Sequence, residues 1–237
     1  MALRTVVYEG REFPISYEIA GEGPDILFLH GWGSDKEVMK SAFGRMEGFR
    51  KIFIDMPGFG KSPNEAILTT KDYAKIVELF LQSIGAKKEI VVGHSFGGKV
   101  ATLLEPRLLV LLSSAGIVEK KPLGIRAKIA LFKLLKPLGG SKIRELFVSK
   151  DAKGMSQNMY ETFKNVVDED FEPVFADYGK EALLFWGRQD RVTSLESGRK
   201  IAALLDAPIF ELEGDHYFFL HHKDFIAEKI RETYEKL

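Results

Sequence analysis

Gly93-His-Ser-Phe-Gly97 sets a serine among small residues with the spacing G-x-S-x-G. It follows an apolar run, residues 89–93, and opens a helical stretch, residues 97–104. A strand that turns this sharply into a helix leaves room only for small neighbours and lifts the Ser95 hydroxyl above the strand ends. The helix N-terminus then aims backbone N–H groups at the same spot. A serine hydroxyl is a weak nucleophile and needs a base. The chain has five histidines, His30, His94, His216, His221 and His222. His216 lies in Leu212-Glu-Gly-Asp-His216, beyond the last apolar run, at the edge where open α/β sheets bind ligands. It is the candidate base. His94 is expected to point away from the site, His30 reads as a structural hydrogen-bonding residue, and His221 and His222 read as partly exposed.

A base of this kind needs a carboxylate to orient its ring and stabilise its cation. Asp190, in Gly187-Arg-Gln-Asp190, follows another apolar run and is the candidate. Asp55 sits in what reads as a rigid turn, Asp55-Met-Pro-Gly-Phe-Gly-Lys-Ser62, and Asp215 is too near His216 in sequence to face its ring. Attack on a carbonyl also needs donors for the developing oxyanion. The Phe96 N–H, just after the serine, is one. The Trp32 N–H, in His30-Gly-Trp-Gly33, is the natural second.

These loops must be held by a scaffold. Short continuous apolar runs at residues 25–30, 51–56, 89–93, 108–112, 182–186 and 208–212 read as strands buried on both faces. Two earlier runs, 5–8 and 13–19, are parted by a hairpin turn at Glu9-Gly10-Arg11. Helical spacing appears at 70–84, 194–205 and 223–234. Thr69 or Thr70 is the expected N-cap of the first of these, and Gly85 its C-cap. Strands alternating with helices make an α/β fold with a mostly parallel sheet covered on both faces. Residues 118–180 break the alternation. They hold a basic amphipathic segment, 124–136, and a second helical stretch near 156–167, and read as an inserted helical lid.

The chain has 237 residues, 45% of them hydrophobic and 29% charged, which excludes a disordered, collagen-like or coiled-coil protein. Its formal net charge is zero, so the basic excess of a non-specific nucleic-acid binder is missing. It has no cysteine, which excludes disulfides, thiolate metal sites and a cysteine nucleophile. The longest apolar run is far too short to cross a bilayer, and no targeting segment is visible; a cytoplasmic location is the default. Within 119–153, ten bases stand against three acids. Two readings stand for that asymmetry. It is a solvated outer face whose inner stripe, Ile125, Ile129, Phe132 and Leu135, covers the site, or it attracts an anionic substrate, acyl carrier or membrane surface.

His30-Gly-Trp-Gly33, Asp55 to Ser62, Gly93-His-Ser-Phe-Gly-Gly98, Gly187-Arg-Gln-Asp190 and Gly214-Asp-His216 occur in an order that resembles the α/β-hydrolase fold superfamily. The resemblance implies an eight-stranded, mostly parallel sheet whose second strand is antiparallel. It implies a core of residues 1–117 and 181–237 and a helical cap, 118–180, after strand six. Family roles carry over as Ser95 nucleophile, His216 base, Asp190 acid, and Trp32 and Phe96 oxyanion donors, with no metal and no cofactor. Trp32, Phe96 and Phe132 would line the pocket for a hydrophobic acyl or aryl group. The nearest likeness is to small capped serine esterases, such as pimeloyl-carrier methyl esterases, and to meta-cleavage product hydrolases. The implied activity is hydrolysis of a carboxylic ester or thioester of a small molecule. Carbon–carbon bond hydrolysis, or ligand binding without catalysis, are the alternatives. One departure is the short segment from Lys99 to Leu108, which trims the helix behind the serine.

Overall fold

Alternate residues of a strand point to opposite faces, so a strand covered on both sides must be apolar throughout. Asp25-Ile-Leu-Phe-Leu29 shows the division. Leu27 and Leu29 enter one core with Ile52, Val91, Leu109 and Leu184. Ile26 and Phe28 enter the other with Phe53, Val92, Val110 and Phe185. The computed structural model describes residues 2–118 and 155–237.

The strands are β1 (Ala2–Tyr8), β2 (Arg11–Ala20), β3 (Asp25–Leu29), β4 (Arg50–Ile54), β5 (Ile90–His94), β6 (Leu108–Leu112), β7 (Glu181–Gly187) and β8 (Ile209–Leu212). They form one eight-stranded sheet in the order β1-β2-β4-β3-β5-β6-β7-β8. β2 pairs antiparallel with β1 and β4. All other pairings are parallel. This is the sheet that the resemblance implies. β8 is only half-buried, unlike the buried strands β3 to β7.

Seven α-helices flank the sheet among the described residues: α1 (Lys36–Phe43), α2 (Thr70–Ser83), α3 (Phe96–Leu104), α4 (Gln157–Val166), α5 (Glu172–Ala176), α6 (Leu195–Leu205) and α7 (Lys223–Tyr234). α1 and α7 pack on one core through Met39, Phe43, Ile226 and Ile230. α2, α3 and α6 pack on the other through Tyr73, Phe80, Val100 and Ile201. Thr69 caps α2 in a reciprocal box with Asp72, as its sequence suggests. α1 has no counterpart in the sequence reading. It spans eight residues, too few for a clear period, and its buried face includes Lys36.

α4 and α5 lie in the chain between β6 and β7, inside the stretch read as a lid. Residues 119–153, with the basic segment and Phe132, lie outside the described residues. α4 is fastened along residues 64–70. The Leu68 N–H donates to Thr162 Oγ1 at 3.0 Å, and Asn158 Nδ2 donates to the Asn64 carbonyl at 2.8 Å. Lys99 of α3, 1% exposed, donates to the Val166 carbonyl at 2.7 Å and pairs with Glu169 at 2.8 Å. Among the described residues no helix is long and apolar enough to cross a membrane.

Candidate active site

Ser95 sits between β5 and α3 with φ 50° and ψ −117°. This left-handed backbone is costly for a side-chain-bearing residue, about 1–3 kcal/mol, and persists only where the surroundings enforce it. The enforcement is visible. The Ser95 N–H donates to the Leu112 carbonyl at 3.1 Å, and the Ser95 carbonyl accepts from Gly98 and Ala115, each at 3.0 Å. A Cβ on Gly93 would collide with the Gly97 carbonyl, so the turn cannot close around a larger residue there. The Phe96 N–H belongs to the first turn of α3, where amides have no acceptor inside the helix.

The loop after β3 reaches the same point. A Cβ on Gly31 would lie 3.2 Å from the Ser95 Cβ and 3.0 Å from His94 Nδ1, so glycine permits the close approach. His30 holds this loop. The Met56 N–H donates to its Nε2 at 3.0 Å, which leaves the proton on Nδ1, donated to the Gly31 carbonyl at 2.8 Å. Burial keeps the His30 imidazole below its ordinary pKa and neutral. It is the structural residue its sequence suggests. Trp32 packs against Phe59, Phe96 and Phe163, with ring centroids 4.9, 5.5 and 5.2 Å away. Phe163 belongs to α4, so this helix touches the loop that carries Trp32.

His216 and Asp190 meet across the loops after β8 and β7, with His216 Nδ1 2.7 Å from Asp190 Oδ2. Both side chains are shielded, 10% and 0% exposed. Asp190 Oδ1 accepts from the Val192 and Thr193 amides at 2.8 and 3.0 Å. Burial pushes this carboxyl up, but donation from His216 and the Val192 amide outweighs it and holds Asp190 below the usual range. The carboxylate therefore stays charged and accepts a hydrogen bond from the His216 Nδ1–H. That leaves His216 Nε2 as the free lone pair.

The His94 side chain does not point away from the site. Its Nε2 donates to the His216 carbonyl at 2.9 Å, and the two rings lie 4.6 Å apart. The ring is 1% exposed and fills the space beneath the His216 loop with Phe219. Burial, then the charge of a protonated His216, lower the His94 pKa to about 3. The other candidates fall outside. Asp55 is the rigid turn expected, accepting from Lys36 Nζ at 2.6 Å and the Lys36 and Lys61 amides at 2.8 and 3.0 Å. Asp215 is exposed and takes the Tyr217 amide at 2.8 Å. His221 is exposed, and His222 contacts the Glu213 carbonyl at 2.7 Å.

A model of the alpha/beta hydrolase family matches residues 26–229. The chain belongs to this family. It is 26% identical over 259 residues to a pimeloyl-[acyl-carrier protein] methyl ester esterase of Proteus mirabilis, covering 93% of this chain and 97% of that one. Against the protein of the same name from Vibrio campbellii identity is 31% over 116 residues, which is 46% of this chain; the chain spans only 44% of that relative. A thermophilic esterase from Thermogutta terrifontis superposes with a TM-score of 0.77 over 100% of this chain and 99% of that one, at 16% identity. At that identity the likeness is one of fold.

Proposed function

We propose that this hydrolase cleaves carboxylic esters through Ser95, His216 and Asp190. The observation that carries the reading is the buried 2.7 Å contact of His216 with Asp190, on the same sheet rim as the strained Ser95 turn. His216 Nε2 takes the Ser95 proton as Oγ attacks the ester carbonyl, and Asp190 stabilises the imidazolium. The amides of Trp32 and Phe96 hold the oxyanion. His216 returns its proton to the departing alkoxide. Water, deprotonated by His216, then releases the acid from Ser95. Residues 118–180 act as a cap on a core of residues 1–117 and 181–237.

The aromatic wall of Trp32, Phe59, Phe96 and Phe163 suits an apolar acyl or aryl group. The names of the relatives add a candidate, the methyl ester of a carrier-linked acyl chain, and the basic run at 119–153 suits an acidic carrier. A p-nitrophenyl ester panel graded by acyl length tests the activity, with a carrier-linked methyl ester beside it. Turnover should favour apolar chains, and Ser95→Ala and His216→Ala should each lower kcat by about 10⁴-fold or more. Turnover that survives both substitutions contradicts the reading.

A further inference from the structure

Thr193 has no part in the chemistry above, yet its hydroxyl sits where loops from three strands converge. It follows Asp190 by three residues and is buried. Its carbonyl accepts the Trp186 indole N–H at 2.9 Å, which fixes the backbone. Its Oγ1 lies 3.0 Å from Asp190 Oδ2, 3.1 Å from the Ser113 carbonyl beyond β6, and 3.4 Å from His216 Nδ1. A hydroxyl has one proton and two lone pairs. Two acceptors compete for that proton. The carboxylate is charged and shielded from water, and a charge-assisted bond is roughly twice as strong as a neutral one. Donation therefore goes to Asp190 Oδ2, which turns an oxygen lone pair toward the His216 Nδ1 proton.

This arrangement completes the carboxylate. Two backbone amides hold Oδ1, and a turn about the Cβ–Cγ bond that carried Oδ2 off the imidazole would strain those bonds too. The Thr193 hydroxyl adds the hold at Oδ2 itself. We infer that Thr193 is a positioning residue, whose hydroxyl locks Asp190 Oδ2 in the orientation that accepts the hydrogen bond of the His216 Nδ1–H. The inference rests on the reading of Ser95, His216 and Asp190 as one catalytic unit.

Thr193→Val keeps the shape and removes the hydroxyl, whereas Thr193→Ser keeps the hydroxyl. Proton spectra of the free enzyme read the hydrogen-bonded Nδ1–H of His216 directly, assigned by its loss in His216→Ala. The wild type and Thr193→Ser should share a low-field resonance that Thr193→Val broadens or shifts upfield. On the best p-nitrophenyl ester, Thr193→Val should lower kcat about tenfold with KM within twofold, as expected for losing part of one bond to a charged group. Thr193→Ser should recover most of kcat. An unchanged resonance with unchanged kcat in Thr193→Val overturns the inference. So does a loss that Thr193→Ser fails to restore while the melting temperature drops, since that marks a packing role. If the wild type turns over no ester, the hydrolase reading fails; the resonance needs no substrate and still decides the role of Thr193.

Discussion

His94 shows how one buried side chain can serve geometry and pH response together. Its Nε2–H is committed to the His216 carbonyl, and its pKa of about 3 keeps the ring neutral at working pH. An unfolded chain restores the ordinary imidazole value of 6.5. Between these values the unfolded state holds a proton that the folded state lacks. Stability is therefore complete above 6.5 and declines as pH falls toward 3, at up to about 1.4 kcal/mol per pH unit for this group. His30 acts in the same direction. Urea unfolding at a series of pH values should show the decline begin before carboxylates titrate. His94→Gln, which keeps a donor but does not titrate, should remove one proton from that slope. An unchanged slope would refute the assignment. Sequence alone placed Ser95, Asp190 and His216 on one rim, because each ends an apolar run in a short loop. It misjudged His94, because a residue beside a serine gives no sign of which loop its ring meets. Thr193 carried no motif at all.

The elements were legible where one chemical pattern filled them. β3, β5, β6 and β7 are apolar on both faces, and α2 is amphipathic with a side-chain cap. Buried lysines were not legible, because their partners are distant in sequence. Lys36 meets Asp55, and Lys99 meets Val166 and Glu169. Burial pushes the Lys99 ammonium down and Glu169 opposes it. The charge also sits 4.6 Å from the Phe171 ring centroid. Glu169 is 28% exposed, so water still reaches its carboxylate when the lysine is lost and no fully buried charge is stranded; Lys99→Met should fold. It should nonetheless loosen the seam between α3 and the C-terminal end of α4. Hydrogen exchange over 157–166 should quicken about tenfold or more, while β5 and β6 stay protected. Equal exchange in both proteins would show that the contacts along residues 64–70 fasten α4 without Lys99.

Across the whole molecule, the sheet brings together residues far apart in sequence. β5 lies beside β3 and β6, which sets the serine turn next to the Gly31–Trp32 loop on one side and the Ala115 amide on the other. β7 and β8 then deliver the acid and the imidazole from the adjoining strands. The substrate-facing surface is less legible than the chemistry, because the charge asymmetry of 119–153 fits a solvated face as well as a docking face. The central claim, that these loops make Ser95 a nucleophile, has a direct measurement. A fluorophosphonate reacts covalently with an activated serine, and mass spectrometry of the digested adduct identifies the residue. The account predicts one adduct, on Ser95, absent in Ser95→Ala and formed far more slowly in His216→Ala. Equal labelling of wild type and Ser95→Ala, or an adduct on another residue, would contradict it.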